Sequence, residues 1–338
     1  MAAQTYRVLV TASRLSPKAV ARLEQSGAVL EFTDDILAED QLAEIAARFA
    51  PSAILMRNNP PIGRKLFAAA PDLRVIAKHG AGYNSIDLDA ATRAGVPVLV
   101  AAGANAYSVA EHAVALMMAL GRDVVRLDQR VKAGHWDKWG YSGREVRGRE
   151  LGLVGFGAIG RHVARLAGAL GMRVTAYSRR LDNIDPSLAH PVGSLEQLFS
   201  ASDIVSLHCP LTPDTRFMVN ADRLASMRPG ALLINTARGE LVDEAALTDA
   251  LRRGVLGGAA LDTFAVEPTP ADNPLLSAPN LIVAPHIGAH TVSAEEEMGM
   301  MAAGNIIAAL SGQPLPQANL VNPQVLASRV ETATGCLP

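Results

Sequence analysis

Cysteine is nearly absent from this 338-residue chain, which carries only Cys209 and Cys336. Two thiols cannot build a disulfide framework, so the small stapled secreted folds are excluded and a reducing, cytoplasmic setting fits. The formal net charge is only −2, which leaves no basic surface for nucleic acid and no polybasic membrane anchor. No uncharged apolar run reaches the roughly 20 residues of a membrane helix. The chain enters a strand pattern at Tyr6 without the apolar core and cleavage site of a signal peptide. Metal-ligand spacings of His or Cys, internal repeats and low-complexity tracts are also missing, so no metal is expected. Aromatic residues make up 4% of the chain. Small residues are abundant instead, as close helix–sheet packing in an α/β protein allows.

What is present is an alternation of short apolar runs with helical periodicity. Strands are expected at 6–10, 29–32, 53–56, 73–77 and 96–100, with helices at 17–25, 39–49, 61–70 and 87–94 between them. Parallel strands need crossover helices, so this alternation implies an open parallel sheet with ligands at the carboxyl ends of its strands. Those ends are Arg57-Asn58-Asn59 and Lys78-His79-Gly80-Ala81-Gly82. A long apolar helix over 107–120 and a second over 124–133 follow. Both tryptophans, Trp136 and Trp139, then fall in a loop-like segment where core packing or a dimer contact is expected.

The stretch Leu151 to Arg161 organises the rest. A buried strand over 151–154 runs into Gly155-Phe156-Gly157-Ala158-Ile159-Gly160, and helical spacing follows. In G-x-G-x-x-G the glycines serve a tight turn, close approach to a pyrophosphate, and close helix–strand packing. The phosphates would sit on the helix N-terminus. The next strand, 173–177, ends where an NAD site places a carboxylate for the ribose hydroxyls. Here stand Ser178, Arg179 and Arg180. A hydroxyl and two guanidiniums suit a 2′-phosphate, so NADP(H) is the preferred cofactor and NAD(H) the alternative.

Three later strands, near 231–235, 258–261 and 281–284, end just before Arg238, Asp262 with Glu267, and His286. Taken singly, a loop Arg, Glu or His is an ordinary surface residue. Together on one rim beside a dinucleotide site, they are complementary groups: a fixed cation, a carboxylate, and an imidazole.

In order along the chain stand His79-Gly80-Ala81-Gly82, Ser108-Val109-Ala110-Glu111-His112, the Gly155 loop and Asn235-Thr236-Ala237-Arg238-Gly239. Asp262-Thr263-Phe264 through Glu267-Pro268, and Pro285-His286-Ile287-Gly288, follow them. Over nearly its whole length the chain resembles the D-isomer-specific 2-hydroxyacid dehydrogenases. The resemblance implies two doubly wound parallel-sheet α/β domains. One is a flavodoxin-like, discontinuous substrate domain (1–101 and 290–338), and the other a Rossmann domain (102–289). It also implies a catalytic set of Arg238, Glu267 and His286. Cofactor contacts would come from the Gly155 loop and from His208, Cys209, Pro210, Thr212, Thr236, Ala237, Asp262 and Gly288. Arg57, His79 and the backbone of Gly80, Ala81 and Gly82 would bind the substrate, and the enzyme would be a homodimer. In that chemistry His286 protonates the oxygen of a reduced 2-oxo acid, and Glu267 favours its charged ring. Arg238 grips carboxylate and carbonyl. The carboxylate of Asp262 would meet the nicotinamide amide.

Glyoxylate or hydroxypyruvate is the expected substrate. The Ser178-Arg179-Arg180 run and the tryptophans resemble reductases of those acids, and the tail ends soon after Pro323, with no regulatory domain. A D-3-phosphoglycerate dehydrogenase is the alternative, on the strength of Arg57 and the His79 segment. A catalytically weak NAD(P)-sensing scaffold is the alternative of another class. Formate oxidation needs no general acid, so Glu267 beside His286 argues against it.

Overall fold

A computed structural model describes residues 5–326 apart from 36 and 59. Asn59 and Cys336 therefore lie outside the described residues. The chain forms two compact units, Met1–Asn105 with Thr291–Pro338, and Ala106–His290.

The first unit alternates β1 (Tyr6–Val10), α1 (Pro17–Gln25), β2 (Ala28–Phe32), α2 (Glu39–Phe49), β3 (Ala53–Met56), α3 (Arg64–Ala69), β4 (Val75–Lys78), α4 (Leu88–Arg93) and β5 (Val98–Leu99). All its strand pairs are parallel, in the order β2-β1-β3-β4-β5, the flavodoxin-like winding. Successive residues serve opposite faces: Val8 and Val10 pack on one side, and Leu9 packs on the other with Leu42 and Leu66. Covered on both faces, such strands read as continuous apolar runs, as Ala53–Met56 does.

The second unit carries α5 (Ala106–Gly121), α6 (Val124–Lys132), β6 (Glu150–Val154), α7 (Ala158–Ala169), β7 (Arg173–Tyr177), β8 (His190–Pro191), α8 (Leu195–Ala201), β9 (Ile204–Leu207), α9 (Ala221–Ser226), β10 (Leu232–Asn235), α10 (Glu244–Arg252), β11 (Gly258–Leu261) and β12 (Leu281–Val283). Its seven parallel strands run β12-β11-β10-β9-β6-β7-β8, the Rossmann order with one strand added. Ala113, Leu116 and Met117 of α5 and Val163 and Ala167 of α7 cover one face. Leu198 and Phe199 of α8, Leu224 of α9 and Leu247 of α10 cover the other. Returning to the first unit, α11 (Val292–Leu310) buries Ala302, Ala303 and Ile306 against the β1 face.

The structure departs from the sequence expectation at several elements. The third helix begins at Arg64 rather than Pro61, because Ile62 bridges to Ile86 and Gly63 caps the helix. The short strand β8 and the helix α9, capped by Asn220 onto Arg223 N, are additional elements. Neither tryptophan is a core residue: Trp136 is 73% and Trp139 82% exposed. The strand over 96–100 is only Val98–Leu99, and its outer edge is bonded by the tail. Val100 N donates to Asn319 O at 2.8 Å and Val321 N to Val98 O at 3.0 Å. The buried Asn322 side chain accepts from Val98 N at 2.8 Å and donates to Val96 O at 3.0 Å. Removing it leaves buried backbone groups without partners, at a cost of about 1–3 kcal/mol. Asn322→Ala is thus expected to lower the urea midpoint with an unchanged slope.

Candidate active site

In the second unit, β6, β9, β10, β11 and β12 stop almost level. Val154 lies opposite Leu207, Leu207 opposite Asn235, Asn235 opposite Leu261, and Leu261 opposite Val283. The loops that follow therefore leave one rim. At the switch point between β6 and β9, Gly155 has φ 99°, and a Cβ on it would lie 2.6 Å from His208 O. Gly160 presses on the same turn, since its Cβ would lie 2.3 Å from Gly155 O. Gly157 differs: it is exposed, it stands at the N-cap of α7, and a Cβ there would meet nothing within 4 Å. Two glycines close the turn and the third leaves room at a helix N-terminus, the arrangement a dinucleotide phosphate needs. Phe156 is buried, whereas Ala158 is exposed and Ile159 half-buried.

Around that loop, Ser178 is half-buried, and Arg179 and Arg180 are exposed at the end of β7. Arg180 also donates to Asn183 Oδ1 at 3.2 Å. His208 bonds Ser206 Oγ at 2.8 Å, and burial pushes its pKa down to about 4, so its ring is neutral. Burial pushes the Cys209 thiol up to about 11, against the opposing charge of Arg179. Pro210 O and Thr212 are joined through Thr215 Oγ1 in a tight turn.

On the other side of the switch point, Asn235 folds its strand end by accepting from Ala237 N and donating to Arg238 O. Thr236 is buried, and its hydroxyl has no partner among the described residues. The half-buried Arg238 donates to Ala237 O at 2.6 Å. Burial weakens its charged form, and Glu267 opposes that. Glu267 Oε1 accepts from Phe264 N at 2.9 Å, and its Oε2 lies 2.7 Å from His286 Nδ1. Burial works to raise the Glu267 carboxyl, yet the His286 and Phe264 hydrogen bonds and the charges of His286 and Arg238 hold it below its ordinary value. Tied at Nδ1, the half-exposed imidazole offers Nε2 as its free face.

In the first unit, β3 and β4 end side by side, Met56 opposite Lys78. Arg57 is largely buried against Glu295, and Lys78 Nζ donates to Arg57 O and Asn58 O. His79 Nε2 bonds Glu295 O at 3.0 Å. Burial, with the charges of Arg57 and Lys78, pushes this ring down to about 4. Gly80 takes φ 129°, Ala81 is exposed, and Gly82 is half-buried.

A sequence model described as the NAD binding domain of D-isomer specific 2-hydroxyacid dehydrogenase matches residues 114–288. A glyoxylate reductase of Korarchaeum cryptofilum is 41% identical over 80% of this chain and 82% of its own length. The chain belongs to the D-isomer specific 2-hydroxyacid dehydrogenases. A D-3-phosphoglycerate dehydrogenase of Mycobacterium tuberculosis is 37% identical over 92% of this chain, which spans 58% of that relative's length. A crystal structure of a Thermus thermophilus protein superposes with a TM-score of 0.86, at 37% identity, covering 93% of this chain and 99% of the other.

Within this family fold, the Asp262 carboxylate is buried, only 1% exposed, and is engaged by the loop that follows the last strand. It accepts from Ile287 N at 2.8 Å and Gly288 N at 2.9 Å, and its backbone oxygen accepts from His286 N. His112 Nε2 lies 3.3 Å from the same carboxylate, and Ser108 Oγ donates to Gly288 O. Asp262, Ser108 and His112 thus hold the loop that carries His286. The Ser108–His112 stretch signals this role only once α5 is placed beside the last strand. Glu295 stands nine positions beyond His286, in the first turn of α11, and nothing in its local sequence marks Arg57 as its partner.

Burial raises the Asp262 carboxyl, but His112 and the Ile287 and Gly288 N–H groups win and hold it below its ordinary 3.8. A depressed carboxyl contributes stability that is present above its unfolded value and lost as pH falls through the folded one. Asp262→Asn is expected to destabilise by about 1–3 kcal/mol near neutrality. In urea unfolding across a pH series, the gap to wild type should narrow as pH falls below 3.8. A gap that is constant or widens in acid contradicts the clamp.

Proposed function

We propose that this chain is an NAD(P)-dependent oxidoreductase that acts on the CH–OH group of a small 2-hydroxy acid, or on the matching 2-oxo acid. Glyoxylate or hydroxypyruvate is the preferred substrate. The observation that carries the reading is the 2.7 Å His286–Glu267 pair on the rim shared by Arg238 and the Gly155 loop. A bound nicotinamide supplies or accepts the hydride. Arg238, permanently charged, holds the substrate carboxylate and polarises the carbonyl oxygen. His286 Nε2 delivers the proton that turns this oxygen into a hydroxyl, and in the reverse direction takes it back. Glu267 fixes the ring through Nδ1 and stabilises its charge. The first unit binds substrate through the Gly80–Gly82 backbone, and the second binds the dinucleotide. The similarity to a glyoxylate reductase supports the choice of acid. A D-3-phosphoglycerate dehydrogenase is the second reading, favoured by the Mycobacterium relative.

NADP(H) is our choice of cofactor, because β7 is followed by Ser178-Arg179-Arg180 with both arginines exposed and no carboxylate at those positions. The working form is a homodimer. Trp136, Trp139 and Val131 are 73%, 82% and 51% exposed, large apolar side chains that a second copy would cover. A cytoplasmic location agrees with the scarcity of cysteine, and no helix among the described residues is long and apolar enough to cross a membrane.

A panel of 2-oxo acids assayed with NADPH and NADH tests the reading. Steady oxidation of NADPH supports an enzyme, whereas tight nucleotide binding without turnover supports a sensing scaffold. Each charged hydrogen bond lost is worth about ten- to 150-fold, so Arg179→Ala with Arg180→Ala should raise KM for NADPH by at least that much and that for NADH little. The maximal rate should hardly move, because such contacts contribute uniform binding. Equal weakening of both cofactors would make NAD(H) the cofactor.

A further inference from the structure

Arg57 and the Gly80–Gly82 backbone follow neighbouring strands and leave the same rim of the five-stranded sheet. A guanidinium at this place, with its donors open, would dock a second anionic group on a substrate, because its planar fork matches phosphate. Arg57 is not open in that way. Its Nη2 donates to Glu295 Oε1 at 2.8 Å and its Nη1 to Arg14 O at 3.2 Å, and its side chain is 11% exposed.

Glu295 is firmly placed. It lies in the first turn of α11, where the helix dipole favours a carboxylate, and its backbone oxygen is bonded to His79. Arg14 Nη2 stands 3.9 Å from the same carboxylate oxygen, so one anion serves two guanidiniums. The nearby ammonium of Lys78 is turned onto the carbonyls of Arg57 and Asn58. A phosphate reaching Arg57 would have to lie beside the Glu295 carboxylate or displace it. A substrate whose only charge is its 2-oxo carboxylate meets no such conflict.

We propose that Glu295 sets the charge of the substrate: its carboxylate is the resident anion of Arg57, and the site takes 2-oxo acids lacking a phosphate or sulfonate. The naming of 2-oxo acids rests on the function proposed above; the closing of Arg57 to a second anion does not.

Glu295→Gln keeps the size and an acceptor oxygen and removes the charge. Isothermal titration with inorganic phosphate, which needs no turnover, compares wild type, Glu295→Gln and Glu295→Gln with Arg57→Met. The single variant should bind phosphate about tenfold or more tightly than wild type, and the double variant should lose that gain. In steady state, the ratio of kcat/KM for the 3-phosphate ester of hydroxypyruvate to that for hydroxypyruvate should rise in the same order and fall back in the double variant. Should Glu295→Gln fail to fold, Glu295→Ala keeps the carbonyl that holds His79 and gives the same comparison. Unchanged phosphate affinity in the single variant, or a wild type that already prefers the phosphate ester, overturns the proposal. Absence of turnover with either acid overturns the dehydrogenase reading instead, and the phosphate titration still decides the role of Glu295.

Discussion

Parallel strands cannot turn directly into one another, so each must be followed by a crossover, and all their carboxyl ends stay on one edge. In the seven-stranded sheet that constraint is tightened by register: Val154, Leu207, Asn235, Leu261 and Val283 stop level with their neighbours. A glycine turn, a guanidinium, a carboxylate and an imidazole, separated by up to 131 positions between Gly155 and His286, thereby emerge on a single rim. Nothing in their local sequences needs to know about the others. The apolar alternation that buries both faces of the sheet brings the chemistry together.

Polar interactions then refine what the sheet assembles. His286 has φ 56°, an uncommon conformation for a side-chain-bearing residue. It is held there because its N–H and the next two are bonded to the oxygens of Asp262. Strain of this kind persists where surroundings over-determine it, and such places cluster at functional sites. The buried imidazoles play the opposite part. His79 and His208, both pushed down to about 4 by burial, are neutral parts of the scaffold, whereas His286 is half-exposed.

Much of this was legible in the chain. Strands such as Ala53–Met56 and Gly258–Leu261 read correctly to the residue, because a doubly covered strand is an unbroken apolar run. Arg238, Glu267 and His286 stand out in the sequence because each follows such a run, and the fold brings Glu267 and His286 within 2.7 Å of each other. The structural partners of Asp262, Glu295 and the tail are not legible in the sequence, for a common reason. Each acts through a partner distant in sequence: Ile287 and Gly288 for Asp262, Arg57 for Glu295, and Val98 for Asn322. A residue's type announces its chemistry, but only the fold shows whether a charge faces a ligand or is already spent inside the protein.

The central claim is that the imidazole held by Glu267 is the proton donor of the reduction. It is tested by replacing His286 with Ala and measuring turnover of a 2-oxo acid together with the dissociation constant of NADPH. A positioned acid contributes about 10² to 10⁴ in rate. The account predicts a loss of turnover in that range with nucleotide affinity nearly unchanged. A loss below about tenfold, or a parallel loss of nucleotide binding, would contradict it.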